Sequence, residues 1–307
     1  MKFFKKVFYR CLFSFKFWQE KREKNQNIDN FANLVVLNPV KEDSELKTIP
    51  KIIWLYWEGN LPNLVKRCME RIQNMHPDYQ VHILGVDNVQ VYCSFDLQQP
   101  VVQKATPQQR ADLIRFNLIY QYGGIWLDAS IIIYEKLDWI NTLVQQSKTQ
   151  SFSYFRAKNT TLLEYPVLEN WLLASVAENH FYQYWFDELY RAIEQGPAEY
   201  IEEIKKQANS LDIFQRIGRL EYLVAYVACQ KVMREHPVSM VLINCDKNAF
   251  FYQVSHQWVK EKVLIDMAIN FIPDEAPKLI KLVGKERKIL NKYYEKSKYF
   301  PNSLLDI

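Results

Sequence analysis

The spacing of apolar positions changes several times along the chain, and each change marks an element. In residues 49–59, IPKIIWLYWEG, Ile52, Trp54 and Tyr56 alternate with Ile53, Leu55 and Trp57. Both faces are apolar, which predicts a strand buried on both sides, as in a parallel sheet covered by helices. Pro62 then opens a helix with Leu64, Cys68, Ile72 and Met75 on one stripe, stopped by His76-Pro77-Asp78. Residues 79–84, YQVHIL, read as the next strand. Strand, helix and strand in about 35 residues form a βαβ unit.

The best-marked stretch is TPQQRADLIRFNLIYQYGGIWLDASIII, residues 106–133. Thr106 and Gln109 make a capping box, and Pro107 suits the first helical position. The helix runs to Tyr122 and stops at Gly123. Asp112 and Arg115, three apart, share one of its faces. Ile125-Trp126-Leu127 is a short buried strand with Asp128 at its carboxyl end, where α/β sheets place ligands. After Asp138 the pattern reads as mostly helical: residues 166–193 as one or two helices, 220–237 as another, with a strand at 240–244.

Composition narrows the class. The chain has 307 residues, 49% of them hydrophobic and 24% charged, which describes a globular protein. Seven glycines are few for this length, so the adjacent Gly123 and Gly124 stand out. Five cysteines without a C-x-x-C pair argue against a disulfide framework or structural zinc and for reduced thiols in the cytoplasm.

Charge divides the chain in three. Residues 1–24 and 278–300 each carry eight Lys or Arg against two Glu, and the stretch between is acidic. This predicts a basic aromatic extension and linker over 1–47, a main domain over 48–277 and a basic helical tail over 278–307. Residues 1–24 mix cations with eight aromatics. They fit neither a secretory signal nor a spanning helix. They read as an interfacial anchor on an anionic membrane surface, or as an extension packed on the domain. The tail reads as a solvated amphipathic helix with Leu279, Leu282, Ile289 and Tyr293 on one side. No nucleic-acid module is visible.

An acid at a strand end can serve a nucleotide diphosphate through a divalent cation, which takes oxygen ligands and counters the charge on a leaving phosphate. Here the residues resemble a known family. IPKIIWLYWEG, then RADLIRFNLIYQYGGIWLDAS over 110–130, with ENWLLAS at 169–175 and SHQW at 255–258, resembles the bacterial capsular polysaccharide synthesis protein family. Its members are DXD-type sugar-nucleotide glycosyltransferases organised like the glucosyltransferase domains of large clostridial toxins.

The resemblance implies a GT-A (Rossmann-like) α/β fold, a mixed sheet flanked by helices, with helical insertions and basic terminal extensions. It implies a hexosyltransferase working on a nucleotide-sugar donor with Mn²⁺ or Mg²⁺. The acceptor would be a glycan or a lipid-linked oligosaccharide, at the inner face of the cell membrane. Trp57 matches the tryptophan that stacks on the nucleobase, and Asp112 and Arg115 match the pair that contacts donor sugar and diphosphate. Asp128 matches the first acid of the motif and Ser130 the second, usually the direct metal ligand.

Gly123 and Gly124 would let backbone approach the donor. His256 and Trp258 would close over the diphosphate, and Asn170 would face the acceptor. D-A-S departs from D-x-D, since a hydroxyl is a weaker ligand than a carboxylate. No further Asp or Glu is marked as a base, which favours retention of anomeric configuration. The competing reading is a non-catalytic nucleotide-sugar-binding or assembly protein with a degenerate motif.

Overall fold

The computed structural model describes residues 2–41 and 46–307. A helix, α1 (Lys2–Trp18), precedes a short strand, β1 (Val35–Leu37). The anticipated βαβ unit follows as β2 (Ile52–Tyr56), α2 (Asn63–Met75) and β3 (Gln80–Leu84), with β2 and β3 parallel and Ile53 opposite Val81. After α3 (Pro100–Lys104) come α4 (Pro107–Tyr122), β4 (Gly124–Asp128) and β5 (Ile131–Ile133). The chain continues through α5 (Asp138–Gln146), β6 (Ser151–Phe155), β7 (Leu168–Ser175) and the helices α6 (His180–Gln195), α7 (Pro197–Lys205), α8 (Ser210–Phe214) and α9 (Val224–Glu235). It closes with β8 (Met240–Asn244), α10 (Phe251–Ser255), α11 (Lys260–Ala268), β9 (Leu279–Lys281) and α12 (Gly284–Tyr294).

Among the described residues, seven strands form one mixed sheet in the order β1-β8-β6-β7-β4-β2-β3, and β5 pairs with β9 in a separate ribbon. This is the α/β class expected, a mixed sheet flanked by helices. Alternation along the strands sorts the core. Trp54 and Trp126 face the cluster built with α4, α6 and α9. Ile53, Leu55, Ile125 and Leu127 face the opposite cluster with α2 and α5.

Helix α4 begins as its sequence dictates. Thr106 Oγ1 accepts from the Gln109 amide, and the Gln109 side chain accepts from the Thr106 amide. Its middle, from Asp112 to Ile119, is buried without interruption. It lies between the sheet and α6, which is why a charged pair sits inside the protein.

Two helical expectations are overturned. Residues 168–175, read as helix, form β7, buried at every position and antiparallel to both β4 and β6. A short apolar run buried on both faces carries no period with which to tell strand from helix. Residues 279–294, read as one amphipathic helix, split into β9 and α12. Leu279, Ile280 and Lys281 are all buried in the ribbon with β5.

The terminal segments pack on a third cluster. Phe13 stacks edge-on against Tyr293 at 4.6 Å, and Phe17 lies on Phe300 at 4.6 Å. Arg22 Nε donates to the Ile269 carbonyl at 2.9 Å. The other side of α1 presents Phe4, Phe8, Phe15 and Trp18 to solvent, each more than half exposed. Among the described residues, no helix is long and apolar enough to cross a membrane.

Candidate active site

The parallel strands β2, β3 and β4 end on one edge of the sheet, and β4 delivers Asp128 to that edge. Its neighbour in β2 is Tyr56. Because Asp128 follows Trp126 by two residues, it lies on the side of α4. There Arg115 places a guanidinium nitrogen 3.2 Å from Asp128 Oδ1 and 3.3 Å from Asp112 Oδ1. Arg115 also donates to the Asn170 carbonyl, and its guanidinium lies 5.0 Å from the centre of the Trp126 ring. Asn170, on β7, donates through Nδ2 to Asp112 Oδ1 at 2.9 Å. The sequence therefore placed Asp112, Arg115, Asp128 and Asn170 in what proves to be one connected network. Asn170 serves it as the partner of Asp112, buried within β7.

The two carboxyls differ. Burial pushes Asp112 up to about 7, with Arg115 opposing and the Asp128 charge reinforcing. Burial also works to raise Asp128, but Lys281 and Arg115 outweigh it and hold this carboxyl below its ordinary value. Lys281 belongs to the buried end of β9, and its Nζ lies 2.5 Å from Asp128 Oδ2. Arg287, in the first turns of α12, packs its guanidinium 4.8 Å from the centre of the Trp57 ring. Burial lowers the Arg287 pKa, and the Asp128 charge opposes that effect. Trp57 thus stands at the mouth of β2 beside this cluster, its Nε1 donating to the Asn60 carbonyl at 3.1 Å.

Asp128 and Ser130, the two positions matched to the metal-binding acids, both have protein partners. Asp128 has a cation against each oxygen. Ser130 is buried, and its hydroxyl donates to the Leu282 carbonyl at 3.4 Å. Among the described residues there is no group of three or more His, Cys, Asp or Glu able to hold a metal. A divalent ion about 4 Å from a resident ammonium would meet a repulsion of about 8 kcal/mol at an effective dielectric near 20.

Gly123 and Gly124 lie at the opposite end of β4 from Asp128, about 13 Å away along the strand. Both have positive φ, 64° and 86°. A Cβ on Gly123 would fall 2.6 Å from the Ala177 amide nitrogen, and one on Gly124 2.6 Å from the Ile52 carbonyl. Their freedom serves close packing against β2 and the end of β7, in place of the donor contact expected.

His256, expected over the diphosphate, has a partner within the protein. From the end of α10 it pairs with Asp266 in α11. Trp258 packs on Phe250 and under the Arg156 guanidinium, 4.8 Å from the ring centre. Arg156 is bound in turn to Asp246 at 3.0 Å, so this pair borders β6 and β8.

Several polar groups at the strand mouths went unmarked in the sequence. Glu58 pairs with Arg110 and accepts from the Tyr56 hydroxyl at 3.1 Å. Glu169 accepts from Trp171 Nε1 and the Tyr226 hydroxyl, both at 2.8 Å. Lys281 carried a signal, a lysine inside the apolar run Leu279-Ile280-Lys281-Leu282-Val283. A cation so placed is either a strand-edge residue or a buried partner for an acid.

The partly buried Asp–Arg–Asp chain lies at the carboxyl ends of parallel strands, the place where α/β sheets bind their ligands. The chain belongs to the capsular polysaccharide synthesis protein family, whose pattern matches residues 8–203. It is similar to glycosyltransferase afumC of Aspergillus fumigatus, 23% identical over 58% of this chain and 48% of that one. It is also similar to inositol phosphoceramide mannosyltransferase 3 of Schizosaccharomyces pombe, 30% identical over 29% of this chain and 26% of that one. The chain thus spans half or less of the length of these curated relatives. Among solved structures it is similar to the PaToxG glycosyltransferase, with 13% identity, a TM-score of 0.38, and 80% of this chain and 86% of that one covered.

Proposed function

We propose that this protein is a GT-A-type glycosyltransferase that moves a hexose from a nucleotide-sugar donor to a glycan or lipid-linked acceptor. The observation that carries the reading is the Asp112–Arg115–Asp128 chain at the strand mouth, in a member of this family. Trp57 offers an aromatic face for the nucleobase, and Arg115 orients Asp128 toward the donor sugar. In the transfer, the bond from the anomeric carbon to the diphosphate oxygen breaks and its electron pair leaves on the phosphate. The acceptor oxygen bonds the anomeric carbon, and its proton passes to the departing phosphate.

That proton route favours retention, because the carboxylates at the mouth are already engaged. Glu58 is held by Arg110, Asp112 by Asn170, Asp128 by Lys281 and Glu169 by Tyr226. A cavity of about 600 Å³ opens at the start of α4, lined by Gln109 and Tyr222 among others, three residues before Asp112. An acceptor approaching the strand mouth past the start of α4 would lie along it.

The family description supports a role in surface polysaccharide synthesis, and the similarity to a phosphoceramide mannosyltransferase supports a lipid-linked acceptor. The outward aromatic stripe of α1, with Lys5, Lys6 and Arg10 on the same helix, suits peripheral attachment to an anionic membrane.

The deciding experiment screens UDP-glucose, UDP-galactose and GDP-mannose for binding and then assays hydrolysis of any that bind. Slow hydrolysis that falls about 100-fold or more in Asp128→Asn is expected. Binding with no turnover in the wild type would instead establish the competing reading, a non-catalytic nucleotide-sugar-binding protein.

A further inference from the structure

We propose that this site works on its donor without a divalent cation, and that Lys281 with Arg287 binds the donor diphosphate in the metal's place. The inference rests on the glycosyltransferase reading above and concerns residues outside the segment that matches the family.

Three observations carry it. The first is the identity of residue 130. Ser130 is buried against the backbone of residue 282, and the next residue, Ile131, is the register partner of Lys281. The D-A-S turn and the β9 segment therefore form one packed unit. A carboxylate at 130 would be buried facing a carbonyl oxygen, an arrangement with no favourable contact. The serine is the residue this ribbon requires.

The second is the position of Lys281. Its ammonium is fixed against Asp128, the first acid of the motif. An ammonium has three donors, and Asp128 accepts from one of them. The Lys281 side chain is 10% exposed and the Asp128 side chain 28%, so the pair borders solvent.

The third is Arg287. Among the described residues its guanidinium has neither a hydrogen-bond nor an ion-pair partner, while it lies 4.8 Å from the centre of the Trp57 ring. A planar fork of donors kept in place by an aromatic ring suits two phosphate oxygens. Arg287 and Trp57 together offer one end of the site to a nucleoside diphosphate, and Lys281 offers the end nearer Asp128. Fixed cations already in position neutralise the charge on the departing diphosphate as a metal would, without needing to be recruited.

The test measures binding of UDP-glucose, UDP-galactose and GDP-mannose by calorimetry, in EDTA and in millimolar Mn²⁺. The expected result is an affinity for the cognate donor that changes less than about 2-fold between the two conditions. Lys281→Met and Arg287→Ala are each expected to weaken it about 10-fold or more, the usual effect of losing a charge-assisted hydrogen bond. Arg287 is half-buried at the surface, so its variant reports even where Lys281→Met fails to fold. Tight binding that vanishes in EDTA and returns with Mn²⁺ overturns this inference and leaves the glycosyltransferase intact. Affinity unchanged in Arg287→Ala and in folded Lys281→Met also overturns it. Failure of all three donors to bind in either condition overturns both.

Discussion

Lys281 reaches Asp128 across 153 residues of sequence, ammonium to carboxylate at 2.5 Å. The contact is the counterweight that keeps Asp128 ionised despite its partial burial. If the two act as a unit, their energies are not additive. A double-mutant cycle with Asp128→Asn and Lys281→Met should give a coupling of about 1–3 kcal/mol in urea unfolding. A coupling near zero would show that the two charges meet solvent separately.

The network carries its own pH dependence. Asp112 has its native carboxyl raised to about 7. Between its ordinary value near 4 and that point, the native state keeps a proton that the unfolded chain releases. Raising pH through this window therefore lowers stability. Asp128 has the opposite sign: its stabilisation is present above about 4 and is lost as pH falls through its lower native value. Asp112→Asn should flatten the decline in Tm between pH 5 and 7.5 and leave the loss in acid. An unchanged slope in that window would assign it to other groups.

The double glycine is a packing device, and its substitution separates folding from binding. Gly123→Ala or Gly124→Ala must place a methyl 2.6 Å from backbone atoms at positive φ. Each should cost more than about 2 kcal/mol in urea unfolding. The fraction that folds should bind donor as the wild type does. Weakened donor binding in a fully folded variant would return these glycines to the site.

Tyr222 is more than half exposed beside the cavity at the start of α4. Tyr222→Ala should raise the acceptor KM about 3- to 10-fold through loss of an aromatic face. Donor hydrolysis in the absence of acceptor should not change. Altered donor hydrolysis would place this ring in the donor site instead.

Helix α1 has two faces, and they can be tested apart. Phe13→Ala removes a buried ring and should cost about 3–5 kcal/mol. Replacing Phe4, Phe8, Phe15 and Trp18 together by serine should leave Tm within about 2 °C, because these rings are exposed. The same variant should lose about 10-fold or more of its association with phosphatidylglycerol vesicles. Undiminished vesicle binding would remove the membrane from the account of this helix.

Local signals made the first half of the molecule legible. The capping box of α4, the stop at Gly123 and the doubly apolar β2 each announce themselves within a few residues. Asp112, Arg115 and Asp128 could be gathered because a capped helix and a short turn fix their relation nearby. What stayed hidden depends on partners far along the chain. The strand character of β7 comes from burial between β4 and β6, and its eight residues carry no period of their own. Lys281 looked like one more cation of a basic tail because its acid lies on another strand. Gly123 and Gly124 drew attention for the right reason, backbone freedom, but the surface approaching them is the protein's own. Ser130 read as a weakened ligand because the carbonyl it faces belongs to residue 282.

The pairing of β5 with β9 also sets a sequence of events. The strands around Asp128 come from residues before 176, and a chain folding from its amino end can lay them down early. The acid then has Arg115 and the Trp126 indole beside it, and gains its second cation only when residue 281 has been made and the ribbon closes. Lys281 joins Asp128 only when the late-synthesised ribbon has formed, so a chain cut before β9 leaves this acid one cation short.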